Sequence, residues 1–439
     1  MTFLFASFVP VMPPPTNVQY HIQHAFRQDA NKILAILIKL YGPANIMWAE
    51  DTLQDTFTKA MRHWQANGIP ANPTAWLILA AKRSAIDKLR NINLRQIHLK
   101  NQMPMPTLND EDACEAIIEN HFQQNDFVDE ELHLLFWIAS TDMPVKLQLP
   151  LMLKTLCGLS LEAICDALLE GSETIKKRLQ RARKKVAEQA FELPCESGIS
   201  QALEKVHLAL YLLFNEGVSP RNPNTHKRMN LCIDALGLTR LLIDSKTLRN
   251  QETLALSALM HFHYARLQAR KTGDFLNVPL DEQARENWDT QYLVKAVQLL
   301  SIALASPSED HPRYLLEALI LHEHCRAKTF LLTDWSTIVQ HYDALLAITG
   351  SPMVKLNRAV ALAHTGDVNG AISEVEVLKS NKQVARGYQA SATLAYLYVL
   401  KGDSVNAQIQ HDRSIESGLT KPEAENLARR IKAIEPTTK

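Results

Sequence analysis

The sequence predicts an all-α protein built from more than one unit, on three observations. Glycine is scarce, 14 residues in 439, whereas Ala, Leu, Gln, Glu and Lys, which favour helix, are plentiful. Apolar residues recur at helical spacing through the N-terminal half. Near the C-terminus the chain repeats itself as helix, Gly-Asp turn, helix at a shift of 36 residues. At 439 residues with 46% hydrophobic content, two or three packed cores are expected.

Residues 1–20 begin with "MTFLFASFVPVMPPP", which is apolar but has no Lys or Arg and no small-residue cleavage site. They read as a disordered leader, or as a start upstream of a true one at Met12, and not as a signal peptide. Residues 21–96 read as helices broken by "YGP" (Tyr41–Pro43) and "NGIPANP" (Asn67–Pro73). In "WAEDTLQDTFTKAMRHW" (Trp48–Trp64), Ala49, Leu53, Phe57, Ala60 and Trp64 form a buried stripe. Glu50, Asp51, Gln54 and Asp55, with Thr58, form an exposed acidic and amide face suited to a basic partner helix. In "NPTAWLILAAKRSAIDKLRNINLR" (Asn72–Arg95), Asn72 followed by Pro73 is a good helix start. Trp76, Leu77 and Ala80 are expected on the core face. Lys82, Arg83, Lys88, Arg90 and Arg95 make this helix basic.

Residues 97–130 read as a linker, and Asp110 to Glu131 carry nine acids with no Lys or Arg. That run fits a solvated spacer. It also fits a nucleic-acid mimic lying in a basic channel or against the basic helix downstream.

Residues 131–190 hold that helix. The chain is neutral overall, with 47 Lys+Arg against 47 Asp+Glu, yet Lys176 to Lys185 places seven positive charges in ten residues. Ile175, Leu179, Ala182 and Val186 form its one apolar face. Upstream, Leu161, Ile164, Ala167 and Leu168 form another, with Ser160 at the N-cap position and Glu162 in the first turn. Helix, tight turn and basic helix together make a helix-turn-helix signature, whose second helix enters a major groove. Such charge density suits phosphates. Glu173, Thr174, Lys176 and Lys177, at the exposed N-terminal positions, are expected to read bases. Arg178, Arg181, Arg183 and Lys184 are expected to grip phosphates.

Residues 196–436 read as a helical array. "NRAVALAHTGDVNGAI" (Asn357–Ile372) lies over "TLAYLYVLKGDSVNAQI" (Thr393–Ile409). Ala359 falls on Ala395, Gly366-Asp367 on Gly402-Asp403, and Ala371 on Ala407, at a period near that of tetratricopeptide repeats.

"GLSLEAICDALLEGSETIKKRLQRARKKV" (Gly158–Val186) resembles the −35-reading domain of the extracytoplasmic-function sigma factors, small members of the sigma-70 family. The turn departs from the family pattern: Leu169-Glu170-Gly171 replaces a Gly, a branched apolar residue and a Ser. Trp48–Trp64 resembles that family's polymerase-binding helix, and Asn72–Arg95 resembles its −10 helix. The resemblance covers roughly residues 24–188. The stretches "LALYLLFNEGVSP" (Leu208–Pro220), "NWD" (Asn287–Asp289), "TDWSTIVQHYDALL" (Thr333–Leu346) and "SPMVKLNRAVALA" (Ser351–Ala363) resemble the repeat extension of one subgroup. The resemblance implies core RNA polymerase as partner, through the clamp coiled coil of its largest subunit, and promoter DNA as the second. The repeats are expected to hold a protein or peptide ligand.

No Walker loop, dinucleotide fingerprint or GxSxG motif is present, and the paired His of "HFHYAR" and "LHEHC" sit at i, i+2, on different sides of a helix. No enzymatic activity, cofactor or metal is therefore expected. The six Cys form no CxxC pair and read as reduced thiols, pointing to the cytoplasm. No apolar run reaches the ~18 residues a membrane span needs. The alternative is a helix-turn-helix regulator or a repeat adaptor without sigma activity.

Overall fold

The computed structural model describes residues 29–30, 33–38, 41–98, 127–155, 159–168, 170–189, 196–218, 229–267, 269–272, 275–276, 278–306, 312–381, 384 and 387–434. The expected leader, residues 99–126 of the linker, and Cys114, Cys157 and Cys195 lie outside them. Among the described residues the fold is helical throughout, apart from one two-residue hairpin. Its strands, β1 (Lys271–Thr272) and β2 (Phe275–Leu276), pair antiparallel with Lys271 opposite Leu276. The chain divides into two units, Met1–Leu212 and Leu213–Lys439.

In the first unit, residues 33–38 are helical and every one of them is buried. A turn of 3-10 helix, Pro43–Asn45, leads into α1 (Ile46–Asn67), which ends where Gly68 takes φ 83°, a conformation open to glycine. α2 (Pro73–His98) starts as its sequence expects, with Asn72 Oδ1 accepting the Ala75 N–H at 3.0 Å. α1 and α2 pack together. The stripe Ala49, Leu53, Phe57, Ala60 and Trp64 is buried, extended by Ile46, Thr52 and Thr56. The core face of α2 differs from expectation. It consists of Leu77, Ala81, Ser84 and Ala85, spaced i, i+4, i+7, i+8, while Trp76 and Ala80 are only half-buried. Turning the helix this way brings Ser84 to Lys59, whose Nζ donates to its hydroxyl at 2.8 Å. Trp76 is left at the rim, edge-on to Trp64 at 5.7 Å.

α3 (Phe127–Ser140) and α4 (Val145–Thr155) are tied by the buried Gln148 amide, which donates to the carbonyls of Ala139 and Thr141, each at 2.9 Å. α5 (Leu161–Leu168) begins at Ser160, whose hydroxyl accepts the Ala163 N–H at 3.1 Å. α6 (Ser172–Ala187) packs on α4, on α5 and on the Pro43–Asn45 turn. α7 (Glu196–Val218) contains the division between the units: by its contacts its first part belongs to the first unit and its end to the second.

The second unit continues with α8 (Met229–Asp244), α9 (Gln251–Ala265), α10 (Thr290–Ala305), α11 (Arg313–Arg326), α12 (Trp335–Thr349), α13 (Pro352–His364), α14 (Val368–Leu378), α15 (Gln389–Lys401), α16 (Ser404–Glu416) and α17 (Lys421–Ile434). From α11 onward each helix packs on the next. The sequence repeat is a structural repeat. Ala359, Ala371, Ala395 and Ala407 are all fully buried, so paired helices approach over a methyl group. Gly366 and Gly402 take φ 106° and 78°, and the following aspartates cap α14 and α16. Asp367 accepts the Gly370 N–H at 2.8 Å and Asp403 the Asn406 N–H at 3.0 Å.

Candidate nucleic-acid interface

The apolar face of α6 fixes which charges it presents. Ile175, Leu179, Ala182 and Val186 are buried, so Glu173, Thr174, Lys176, Lys177, Arg181 and Lys184 stand exposed, while Arg178 and Arg183 sit at the edges of the stripe, half-buried. The two edge arginines are held by acids. Arg178 pairs with Glu170 at 2.8 Å. Arg183 Nη2 donates to both carboxylate oxygens of Glu50, at 3.0 and 2.8 Å. Lys176 pairs with Glu173 at 2.8 Å, and that hydrogen bond holds its ammonium above the usual lysine range. Lys177, Arg181, Lys184 and Lys185 make no ion pair among the described residues.

Part of the acid that balances the basic helix is thus local, in Glu170, Glu173 and Glu50; the linker acids from Asp110 to Asp126 lie outside the described residues. Glu170, in the turn before α6, is the residue that holds Arg178. Gly171 takes the N-cap without any side-chain bond.

On α1, Asp51, Gln54, Asp55 and Thr58 are exposed. Glu50 differs from the exposed position expected of it. The Pro43–Asn45 turn carries α6 across its end of α1, and the Glu50 side chain is only 23% exposed beneath Arg183. On α2, Arg83 is exposed, and Lys82 and Lys88 are half-buried. Lys88 pairs with Asp55 at 3.2 Å across the α1–α2 junction. Arg90 and Arg95 lie on the helical backbone of α2, but their side chains fall outside the described residues.

The structure therefore brings together groups that the sequence assigned to different tasks: Glu50 with Arg183, and Asp55 with Lys88. Neither pairing has a sequence signal. The first joins positions 133 residues apart. Helical i, i+4 reasoning reaches only within one helix.

Residues 25–94 match the family Sigma-70 region 2, a span that encloses α1 and most of α2. Residues 202–304 match a family of unknown function (DUF6596). Over 401 residues, 90% of this chain and 92% of the other, the chain is 30% identical to "Uncharacterized protein R00370" of Rhizobium meliloti (strain 1021). No solved structure matches it.

Proposed function

The chain belongs to one family with the Rhizobium protein and, through its region 2, to the sigma-70 family; on that premise we propose that it is an initiation factor of the extracytoplasmic-function type. It binds core RNA polymerase, directs it to promoters and works in the cytoplasm by recognition rather than catalysis. Asp51, Gln54, Asp55 and Thr58 of α1 dock on the clamp coiled coil of the largest polymerase subunit. Lys82, Arg83 and Lys88, followed along α2 by Arg90 and Arg95, track the phosphates of the melting −10 strand. α5 and α6 act as a helix-turn-helix on the −35 element. Glu173, Thr174, Lys176 and Lys177 face the bases, and Arg181 and Lys184 face phosphates from the outset.

Arg178 and Arg183 join them only on leaving Glu170 and Glu50. Freeing Glu50 restores it to the acidic face, so engagement of DNA and of polymerase favour one another. Residues 196–436 form a tetratricopeptide-like extension that supports the DNA-binding part.

The observation that carries this reading is the pairing, within the matched region, of an exposed acidic face on α1 with a basic α2 packed directly against it. Run-off transcription with purified core polymerase tests it. The expected result is promoter-dependent transcripts that require the added protein. A protein that shifts DNA yet gives no transcripts would be a helix-turn-helix regulator or a repeat adaptor instead.

A further inference from the structure

The outer face of α10 is apolar where contact with water favours polar residues. Ala296, Leu299, Leu300 and Ala303 are buried, and the helix packs on α9. The opposite side leaves Val294, Val297, Ile302 and Leu304 between 42% and 51% exposed. Lys295 is the only charged residue of the helix. A helix that is apolar on all sides is normally a covered one, and grouped exposed apolar side chains mark contact surfaces.

The face also matches itself. Along its centre run Val294, Gln298, Ser301 and Ala305, spaced i, i+4, i+7, i+11. Val297 and Leu304 form one edge, Lys295 and Ile302 the other. All eight residues are exposed. A second copy turned end for end, about a two-fold axis between Leu299 and Leu300, keeps each edge opposite the same edge of its partner.

In that arrangement like meets like. At the centre Val294 faces the partner's Ala305, and Gln298 faces the partner's Ser301. The Ser301 hydroxyl donates to the Val297 carbonyl at 2.8 Å, which leaves its lone pairs open to the partner's Gln298 amide. On one edge Val297 meets the partner's Leu304. On the other the aliphatic stem of Lys295 covers the partner's Ile302, and its ammonium reaches the C-terminal end of the partner helix. That end carries the negative pole of the helix dipole, and α10 has no basic residue of its own in its last turn. The one charge of the face thus finds its complement, and the two copies of Lys295 stay at opposite ends of the seam.

We propose that α10 pairs antiparallel with α10 of a second copy, making the chain a homodimer in solution. The protein partner expected of the repeats is then the chain itself. One helix face is a small interface, at the low end of the specific range, so the dimer is reversible, with a Kd on the order of 10 μM. The pairing stands on the second unit alone, independently of the polymerase reading.

Sedimentation velocity of the full chain, from about 1 to 200 μM, tests it. A monomer–dimer equilibrium is expected. Val297→Glu combined with Leu304→Glu, both at exposed positions, should leave the circular dichroism spectrum unchanged and weaken dimerisation at least ~10-fold, because carboxylates would be buried in the seam. If that variant misfolds, Ser301→Glu replaces it and sets two carboxylates face to face across the axis. Disulfide trapping reads the orientation. Val294→Cys and Ala305→Cys chains, mixed, should cross-link with each other and neither with itself, above the wild-type background. The proposal is overturned by a monomer throughout the series, by a dimer that the glutamates leave intact, or by either cysteine variant cross-linking to itself as readily. A monomer that loses core polymerase binding on the same glutamate substitutions would give the face to polymerase and overturn it too.

Discussion

Arg183 reaches both carboxylate oxygens of Glu50 through one nitrogen, Nη2, with both side chains about one-fifth exposed. On the function proposed above, this pair withholds one cation of the basic helix from DNA while it lasts. Glu50→Gln removes the carboxylate charge and frees Arg183. Its affinity for a short −35 duplex, without polymerase, should rise, and the plot of log K against log salt should steepen by about 0.9. An unchanged slope in fluorescence anisotropy across a salt series would mean that Arg183 already reaches phosphate in the wild type. Asp51 and Asp55 make a contrasting case because both are exposed. Reversing both to Lys should abolish association with core polymerase while the melting temperature holds. The only ion pair broken among the described residues is the Asp55–Lys88 surface contact, worth about 0–1 kcal/mol. Normal co-elution of the double variant with polymerase would remove α1 from the docking account.

At the scale of the element, capping and burial decide stability. Asp403 starts α16, and its two bonds to Asn406 hold its carboxyl below the usual range. Asp403→Ala should cost about 1 kcal/mol at neutral pH, read by chemical denaturation of the second unit's transition. A carboxyl depressed in the fold lends stability above its unfolded pKa and loses it as pH falls through the folded value. The wild type should therefore lose its advantage over Asp403→Asn below about pH 4. The buried imidazoles have the opposite chemistry but the same acid sensitivity. His263 in α9 and His324 in α11 are both held down to about 3 by burial. They are neutral in the fold, and the unfolded chain takes up their protons below about pH 6.5. Between pH 7.5 and pH 5 each should withdraw about 2 kcal/mol of stability. His263→Leu should flatten the dependence of the melting temperature on pH over that interval. An equally steep dependence in the variant would assign the acid loss to other groups.

At the scale of the whole molecule, the boundary between the units is the main departure from the sequence reading. The composition placed it near residues 190–196, but the contacts place it after Leu212, inside α7. Lys205 donates to the Ala139 carbonyl at 2.8 Å, and Leu203, Val206 and Leu210 of the same helix are buried. Truncation near Pro194 should thus lower promoter binding and give a broad, less cooperative melt. Truncation after Val218 should retain both DNA binding and a sharp transition. Equal behaviour of the two truncations would put the boundary back at the linker. By itself the sequence determined what depends on local spacing. It gave the helices, the buried stripes of α1 and α6, the caps at Ser160 and Asn72, and the Gly-Asp repeat, because period and cap chemistry are written within a few residues of one another. Only the tertiary structure decided which charges are spoken for and which helix faces stay uncovered. Arg183 finds Glu50, and Arg430 finds Asp281, across more than a hundred residues. Pairings at that range depend on how the chain packs back on itself, and no short-range pattern encodes them.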